Sequence, residues 1–188
     1  MKKYLLGACV TAAWLACSSL AWSEGWEEDE HEHRAPAATS QHQAMHKARN
    51  DYRKECSSCH MAYPANFLPA RSWAKIMGEL DEHFGENAEL DAEDQRNITA
   101  YLNAHASDHS RGRMARWITR SISPKHTPLR ITETHYFERI HDEVPERFVR
   151  NNPKVRSFSN CMACHRGASE GDFDEDRVVI PGVHRRDD

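Results

Sequence analysis

Two segments of this 188-residue chain share one pattern, Cys56-Ser57-Ser58-Cys59-His60 and Cys161-Met162-Ala163-Cys164-His165. Two thiols with two residues between them, followed at once by an imidazole, suit one particular chemistry. Each thiol can add to a vinyl group of a haem, one helical turn spans the two vinyl positions, and the adjacent histidine reaches the iron as an axial ligand. Two other chemistries use Cys-x-x-Cys pairs. Two half-sites can share a structural zinc, and a single pair can act as a thioredoxin-like redox couple. Here both pairs run directly into histidine and the chain shows no βαβ pattern, so the expectation is two covalently attached haem c groups.

The cysteine count agrees. Of six cysteines, Cys9 and Cys17 lie in an N-terminal stretch with the order of an export signal. Lys2 and Lys3 lead it, Tyr4 to Leu20 is apolar, and Ala21-Trp22-Ser23 offers small residues before the acidic Glu24. The apolar run is shorter than the ~20 residues a membrane span needs, and Leu6-Gly7-Ala8-Cys9 leaves too short an apolar run for a lipoprotein signal. Residues 1–23 are therefore expected to be a signal peptide, with no integral membrane segment after cleavage and a periplasmic location. Every cysteine beyond them belongs to a Cys-x-x-Cys-His motif, so none is left for a disulfide. Loss of Lys2 and Lys3 takes the net charge from −4 to −6, which gives no basic footprint for nucleic acid.

The second axial ligand decides what each iron can do, and histidine and methionine are the candidates. For the first motif, His83 sits at the edge of an apolar face formed by Trp73, Ile76, Met77 and Leu80. On the spacing alone it reads more readily as a boundary histidine with no ligand role, and Met77 and His105 are rivals. For the second motif, His141 shares a helical face with Phe137, Ile140 and Val144, whereas His135 points to the opposite side. A crossed arrangement, in which each half's helix serves the other haem, also satisfies the spacing.

These residues need elements to hold them. Residues 24–47 are acidic and His-rich, then rich in Ala, Pro, Ser and Thr, and read as a flexible leader whose His31, His33, His42 and His46 bind metal at most weakly. A helix is expected from Ala44 to Glu55, running into the first motif. A second is expected from an N-cap at Ser72 to Phe84, stopped by Gly85. A third begins after Asp91, carries Ile98, Tyr101 and Leu102 on one side and ends near Ala106. Residues 107–130 are basic and irregular, with a short helix possible around Met114, Trp117 and Ile118, and form the expected junction between a 48–107 haem domain and a 108–188 haem domain. Residues 132–144 read as helical, and only Val178-Val179-Ile180 suggests a strand. The expected fold is mainly α: two small cytochrome-c-like haem domains with irregular loops and little or no sheet. At 39% hydrophobic residues, each half has little core of its own, a deficit that a large apolar cofactor can make up.

The wider pattern resembles the periplasmic dihaem cytochrome c family. The first block is Glu55 to His60, Tyr63-Pro64, Leu68-Pro69, Ser72-Trp73 and Asp81-Glu82-His83-Phe84-Gly85. The second is Ile131-Thr132-Glu133-Thr134, His141, Ser157 to Asn160 and Cys161 to His165, and the whole runs from about Tyr52 to Pro181. The resemblance implies two low-spin haems with two histidines each, with His60 and His165 from the motifs and His83 and His141 in the family's other histidine positions, and it leaves open which of the latter serves which haem. It also implies a role in passing electrons between redox proteins, with a small oxygen-binding cytochrome as the partner type. The longer acidic leader and His135 set this chain apart from the pattern. The expected function is thus an electron carrier rather than an enzyme. The alternatives are a dihaem peroxidase-like enzyme, which needs one open iron, and a haem-based gas or redox sensor, which needs an exchangeable ligand.

Overall fold

The computed structural model describes residues 35–183. The expected signal peptide, residues 24–34 of the expected leader and residues 184–188 lie outside the described residues. Helix α1 spans Ala35–Cys56 and so begins well before Ala44. Its first half is rich in Ala and Gln, which favour a helix, and has no glycine or proline after residue 36 to break it. The leader's second part is therefore the start of the helix that delivers Cys56.

Helices α2 (Ala70–Gly78) and α3 (Ala92–His105) pack against one another, and α1 packs on α3. Between them lie Tyr52, Trp73, Met77, Leu80, Ile98 and Leu102, all buried. Asp91 caps α3 as its spacing predicts, accepting from the backbone N–H groups of Glu93 and Asp94. Two hydrogen bonds tie the intervening loop to this core: Trp73 Nε1 makes a buried one to the Ala65 carbonyl at 2.6 Å, and Tyr52 Oη makes a part-buried one to the Tyr63 carbonyl at 2.6 Å.

The second expected helix ends early. It stops at Gly78, is followed by a 3-10 turn at Leu80–Glu82, and starts behind Pro69 rather than at Ser72, which is buried. Glycine is a poor helix former, and the chain leaves the helix at Glu79 (φ −129°, ψ 42°). His83 is consequently in a turn and not on a continuous helical face.

The 107–130 segment is more ordered than its composition suggests. It contains helix α4 (Arg113–Ser121), whose Ala115 and Ile118 are buried while Trp117 is 47% exposed. Phe67, Ile118 and Ile122 form a second apolar cluster, joined by Met114, Ile131, Tyr136 and Phe173, so the two halves share a packed boundary. Arg71 reinforces it, donating to the carbonyls of His126 and Ser123 at 2.9 and 3.2 Å. Helix α5 (His135–Ile140) is shorter than the 132–144 expectation and leaves Ile140 53% exposed rather than on a buried face. Helix α6 (Cys161–Cys164) is a single turn. Among the described residues there is no strand, only an isolated bridge between His83 and Glu86, and Val178–Ile180 is irregular. No described helix is long and apolar enough to cross a membrane. From Pro145 to Val183 only Val149, Val155 and Ala168 are buried, so this stretch has little apolar core of its own.

Candidate haem-binding sites

Helix α1 ends at Cys56, and the chain turns through Ser57 and Ser58 to the exposed Cys59 and His60. His60 Nδ1 lies 2.7 Å from the Met61 carbonyl oxygen. A carbonyl only accepts, so Nδ1 carries the proton and Nε2 keeps its lone pair. The His83 ring sits 6.1 Å from that of His60, centroid to centroid, with the planes inclined at 22°. His83 is placed there by a tight turn rather than a helix. Leu80 anchors the turn in the core and accepts a backbone bond from Ala88 at 2.8 Å, and the Glu86 N–H reaches the His83 carbonyl at 3.2 Å. Phe84 holds a left-handed conformation (φ 56°) and Gly85 follows at φ 97°. For a bulky residue such as Phe84 this costs about 1–3 kcal/mol, and strain of that kind persists where the surroundings over-determine it. Arg130, from the other half of the chain, lies over the Phe84 ring at 4.1 Å.

At the second motif the His165 N–H bonds back to the Cys161 carbonyl at 2.8 Å, and the tail returns to give a bond from Val179 N–H to the Cys164 carbonyl at 3.1 Å. The His141 ring lies 6.2 Å from that of His165, with the planes at 76°. Thr134 caps α5, and His141 is the residue on which that helix ends. Its Nδ1 lies 3.0 Å from the Phe137 carbonyl, which again leaves Nε2 with its lone pair. Phe137 stacks on His141 at 4.0 Å and Phe158 meets it edge-on at 6.0 Å. His165 Nδ1 is buried without a hydrogen-bond partner among the described residues. Such a nitrogen costs about 1–3 kcal/mol when nothing satisfies its ring.

Electrostatics favour the ligand form of these imidazoles. Burial holds His83, His141 and His165 below the usual histidine range, helped by His60 and Arg130 beside His83 and by His141 beside His165. Neutral imidazole is the form that binds a metal. Before attachment, burial pushes the free thiols of Cys56 and Cys161 up to about 11.

The spacing of both pairs fits a haem iron. With metal–nitrogen bonds of about 2.0 Å and about 1.1 Å from nitrogen to ring centre, two imidazoles on opposite sides of one metal have centroids about 6.2 Å apart. The observed 6.1 and 6.2 Å match that separation at both motifs. The rivals stand elsewhere. His105 is exposed, lies tilted against the Tyr101 ring and bonds to its carbonyl. His135 is exposed and faces Glu138 at 3.8 Å. Met77 is packed in the core. No three His, Cys, Asp or Glu side chains among the described residues converge on one point, so the two Cys-x-x-Cys pairs do not form a shared zinc site. Between the two motifs lies a cavity of about 720 Å³, whose lining includes Cys59, His60, Tyr63, Asn160, Cys161 and Met162. That is within the usual range for a small-molecule or cofactor pocket.

The sequence reading places none of Arg130, Phe158, Phe173 and Tyr63 beside these histidines. Tyr63 and Phe158 carry a signal, as the Tyr-Pro pair just after the first motif and as part of the Ser157 to Asn160 stretch before the second.

Comparisons with known proteins agree with the chemistry. Residues 52–173 match the family model for dihaem cytochrome c. A dihaem c-type cytochrome from Shewanella baltica OS155, solved by X-ray crystallography, is 45% identical over 73% of this chain and 97% of its own, with a TM-score of 0.60. A dihaem cytochrome c from Rhodobacter sphaeroides is 49% identical over 66% of this chain and 95% of its own, also with a TM-score of 0.60. No curated protein matches the chain. With two attachment motifs, a mainly helical fold and identities of this order, the chain belongs to the dihaem cytochrome c family and carries two covalently bound haem c groups.

Proposed function

We propose that this protein is an exported, periplasmic electron carrier that passes electrons between redox proteins through two bis-histidine haems and turns over no substrate. In this reading Cys56 and Cys59 hold the first haem, with His60 and His83 as its axial ligands. Cys161 and Cys164 hold the second, with His165 and His141. The observation that carries the reading is the pair of imidazole separations, 6.1 and 6.2 Å, each suited to one iron bound from both sides. The haem supplies one-electron chemistry at its iron when bound. The chain's own residues do the rest. His60 and His141 are oriented by the carbonyls of Met61 and Phe137, and His83 is held in a strained turn, so the ligands are positioned before any electron arrives. With His83 and His141 closing the two irons, the bound haems would offer no open site to a substrate or a diatomic gas. Two imidazoles, with no thioether ligand, set the potentials below those of His/Met cytochromes.

The partners in this reading are other redox proteins, and the family resemblance suggests a small oxygen-binding cytochrome among them. One surface suits a partner with an acidic face. From His109 to Thr132 the chain has no acidic residue, and α4 exposes Arg113, Arg116 and Arg120 around Trp117. This helix packs on α5, which leads into His141. On a protein of net negative charge, a local basic surface steers an acidic partner to one face.

Absorption and EPR spectra of the purified protein, with and without carbon monoxide, test the reading. Two low-spin ferric signals and no carbon monoxide uptake by the reduced protein are expected. His83→Ala and His141→Ala should each turn one haem high-spin and leave the other unchanged. A high-spin signal in the unaltered protein, or rapid carbon monoxide binding, would point to a peroxidase-like enzyme or a sensor and refute the carrier.

A further inference from the structure

We propose that Tyr63 is the positioning residue that sets the spacing between the two haem sites, and with it the rate at which they exchange electrons. The proposal rests on the two-haem carrier reading and adds to it a residue that neither binds iron nor attaches haem.

Tyr63 touches both sites. Its ring lies 5.1 Å from the His60 ring, with the planes at 28°. Its hydroxyl donates to the Ser159 carbonyl at 2.9 Å, two residues before Cys161. One side chain thus joins the axial histidine of the first motif to the segment that enters the second. Both ends of this link are stiff. Tyr52, buried on α1, donates to the Tyr63 carbonyl and ties Tyr63 to the helix that delivers Cys56. On the far side, Asn160 Nδ2 donates to the carbonyl of the buried Val155 at 3.1 Å, and the Ser159 and Asn160 N–H groups bond back to Ser157. The cavity between the motifs is bordered by Tyr63, so its width depends on this side chain.

Other links cross between the halves without this property. Arg71 holds the carbonyls of Ser123 and His126. The half-buried Arg53 reaches the Ser169 carbonyl and Glu170. Neither arginine is stacked on a haem histidine. Electron exchange between two centres falls steeply with their separation, so the residue that fixes the separation governs the exchange. One electron leaves one site and arrives at the other. Tyr63 itself is neither oxidised nor reduced and moves no proton.

Tyr63→Phe tests this in the holoprotein, because it removes the hydroxyl and keeps the ring on His60. Both irons should stay low-spin. The magnetic interaction between the two ferric irons in EPR should weaken or broaden. Internal equilibration after fast one-electron photoreduction should slow severalfold. Tyr52→Phe leaves Tyr63 intact and loosens its anchor, so it should shift both readouts the same way by less. Arg71→Gln also breaks a link between the halves; it should lower the melting temperature and leave both readouts in place. A Tyr63→Phe protein with the original interaction and exchange rate would overturn the role of Tyr63 and leave the carrier reading standing. So would an Arg71→Gln protein that shifts both readouts as far as Tyr63→Phe does. An unaltered protein whose irons exchange no electrons with each other would instead overturn the carrier reading itself.

Discussion

Gly167, two residues beyond the second attachment motif, offers a direct test of how this half of the molecule is held together. Its backbone is ordinary (φ −92°), so the constraint is close approach and not a left-handed turn. A Cβ at this position would lie 2.7 Å from Asp172 Cβ and 3.0 Å from Asp172 Oδ2. Asp172 has no easy retreat. Its N–H bonds to the Gly167 carbonyl at 3.0 Å, and its carboxylate pairs with Arg177. Gly167→Ala must therefore open the 167–172 turn. Overpacking of this kind costs about 1–3 kcal/mol. At about 2–4 °C per kcal/mol for a protein of this size, the melting temperature should fall by roughly 2–12 °C. The turn leads into Phe173, whose ring lies 5.4 Å from that of His165, so the disturbance should reach the second haem and spare the first. Gly78→Ala is the matched control. A Cβ there meets nothing within 4 Å, so removing a glycine from the end of α2 should raise stability by up to about 1 kcal/mol. Thermal unfolding of the holoprotein by far-ultraviolet circular dichroism, with Soret dichroism to resolve the haems, measures both. Equal effects from the two substitutions, or an unchanged melting temperature in Gly167→Ala, would refute the close-packing argument.

Two further outcomes follow from the same geometry. Thr134 caps α5 by accepting from the Phe137 N–H at 3.3 Å and is itself buried, so Thr134→Ala should cost about 0.5–2 kcal/mol in chemical denaturation, with Thr134→Ser retaining most of it. Because α5 leads into His141, the loss should be accompanied by ligand heterogeneity at the second haem alone. Arg116→Glu with Arg120→Glu should slow reduction of an acidic partner in stopped-flow and flatten its dependence on salt. Both side chains are exposed, so stability should stay within about 0.5 kcal/mol of the original. An unchanged rate and salt slope would remove α4 from the docking surface.

Some of this was readable from residue order because its causes are local. Two Cys-x-x-Cys-His motifs name their cofactor by the span of one helical turn. Asp91 followed by Glu93 and Asp94 announces the start of α3, and the 3.6-residue period of Trp73, Ile76, Met77 and Leu80 marks the buried side of α2. Helix ends were harder. Nothing in the period separates a helix that stops at Gly78 from one that runs on to Phe84, because the residues after Gly78 still offer apolar side chains at helical spacing. The same holds for α5, which ends at Ile140 although Val144 continues the pattern.

The sequence by itself determined the covalent chemistry of this protein: four thiols and two histidines in fixed local order, with candidate histidines elsewhere to complete each iron. Only the tertiary structure decided which of those candidates stands opposite which motif. His83 and His141 come within 6.1 and 6.2 Å of their partners through turns, and His105 and His135 remain on the surface. Arg130 beside Phe84 and Tyr63 against Ser159 join residues far apart in the chain. A period describes one element seen along its own axis. The separation between two rings depends on how every element between them packs, and no local pattern carries that information.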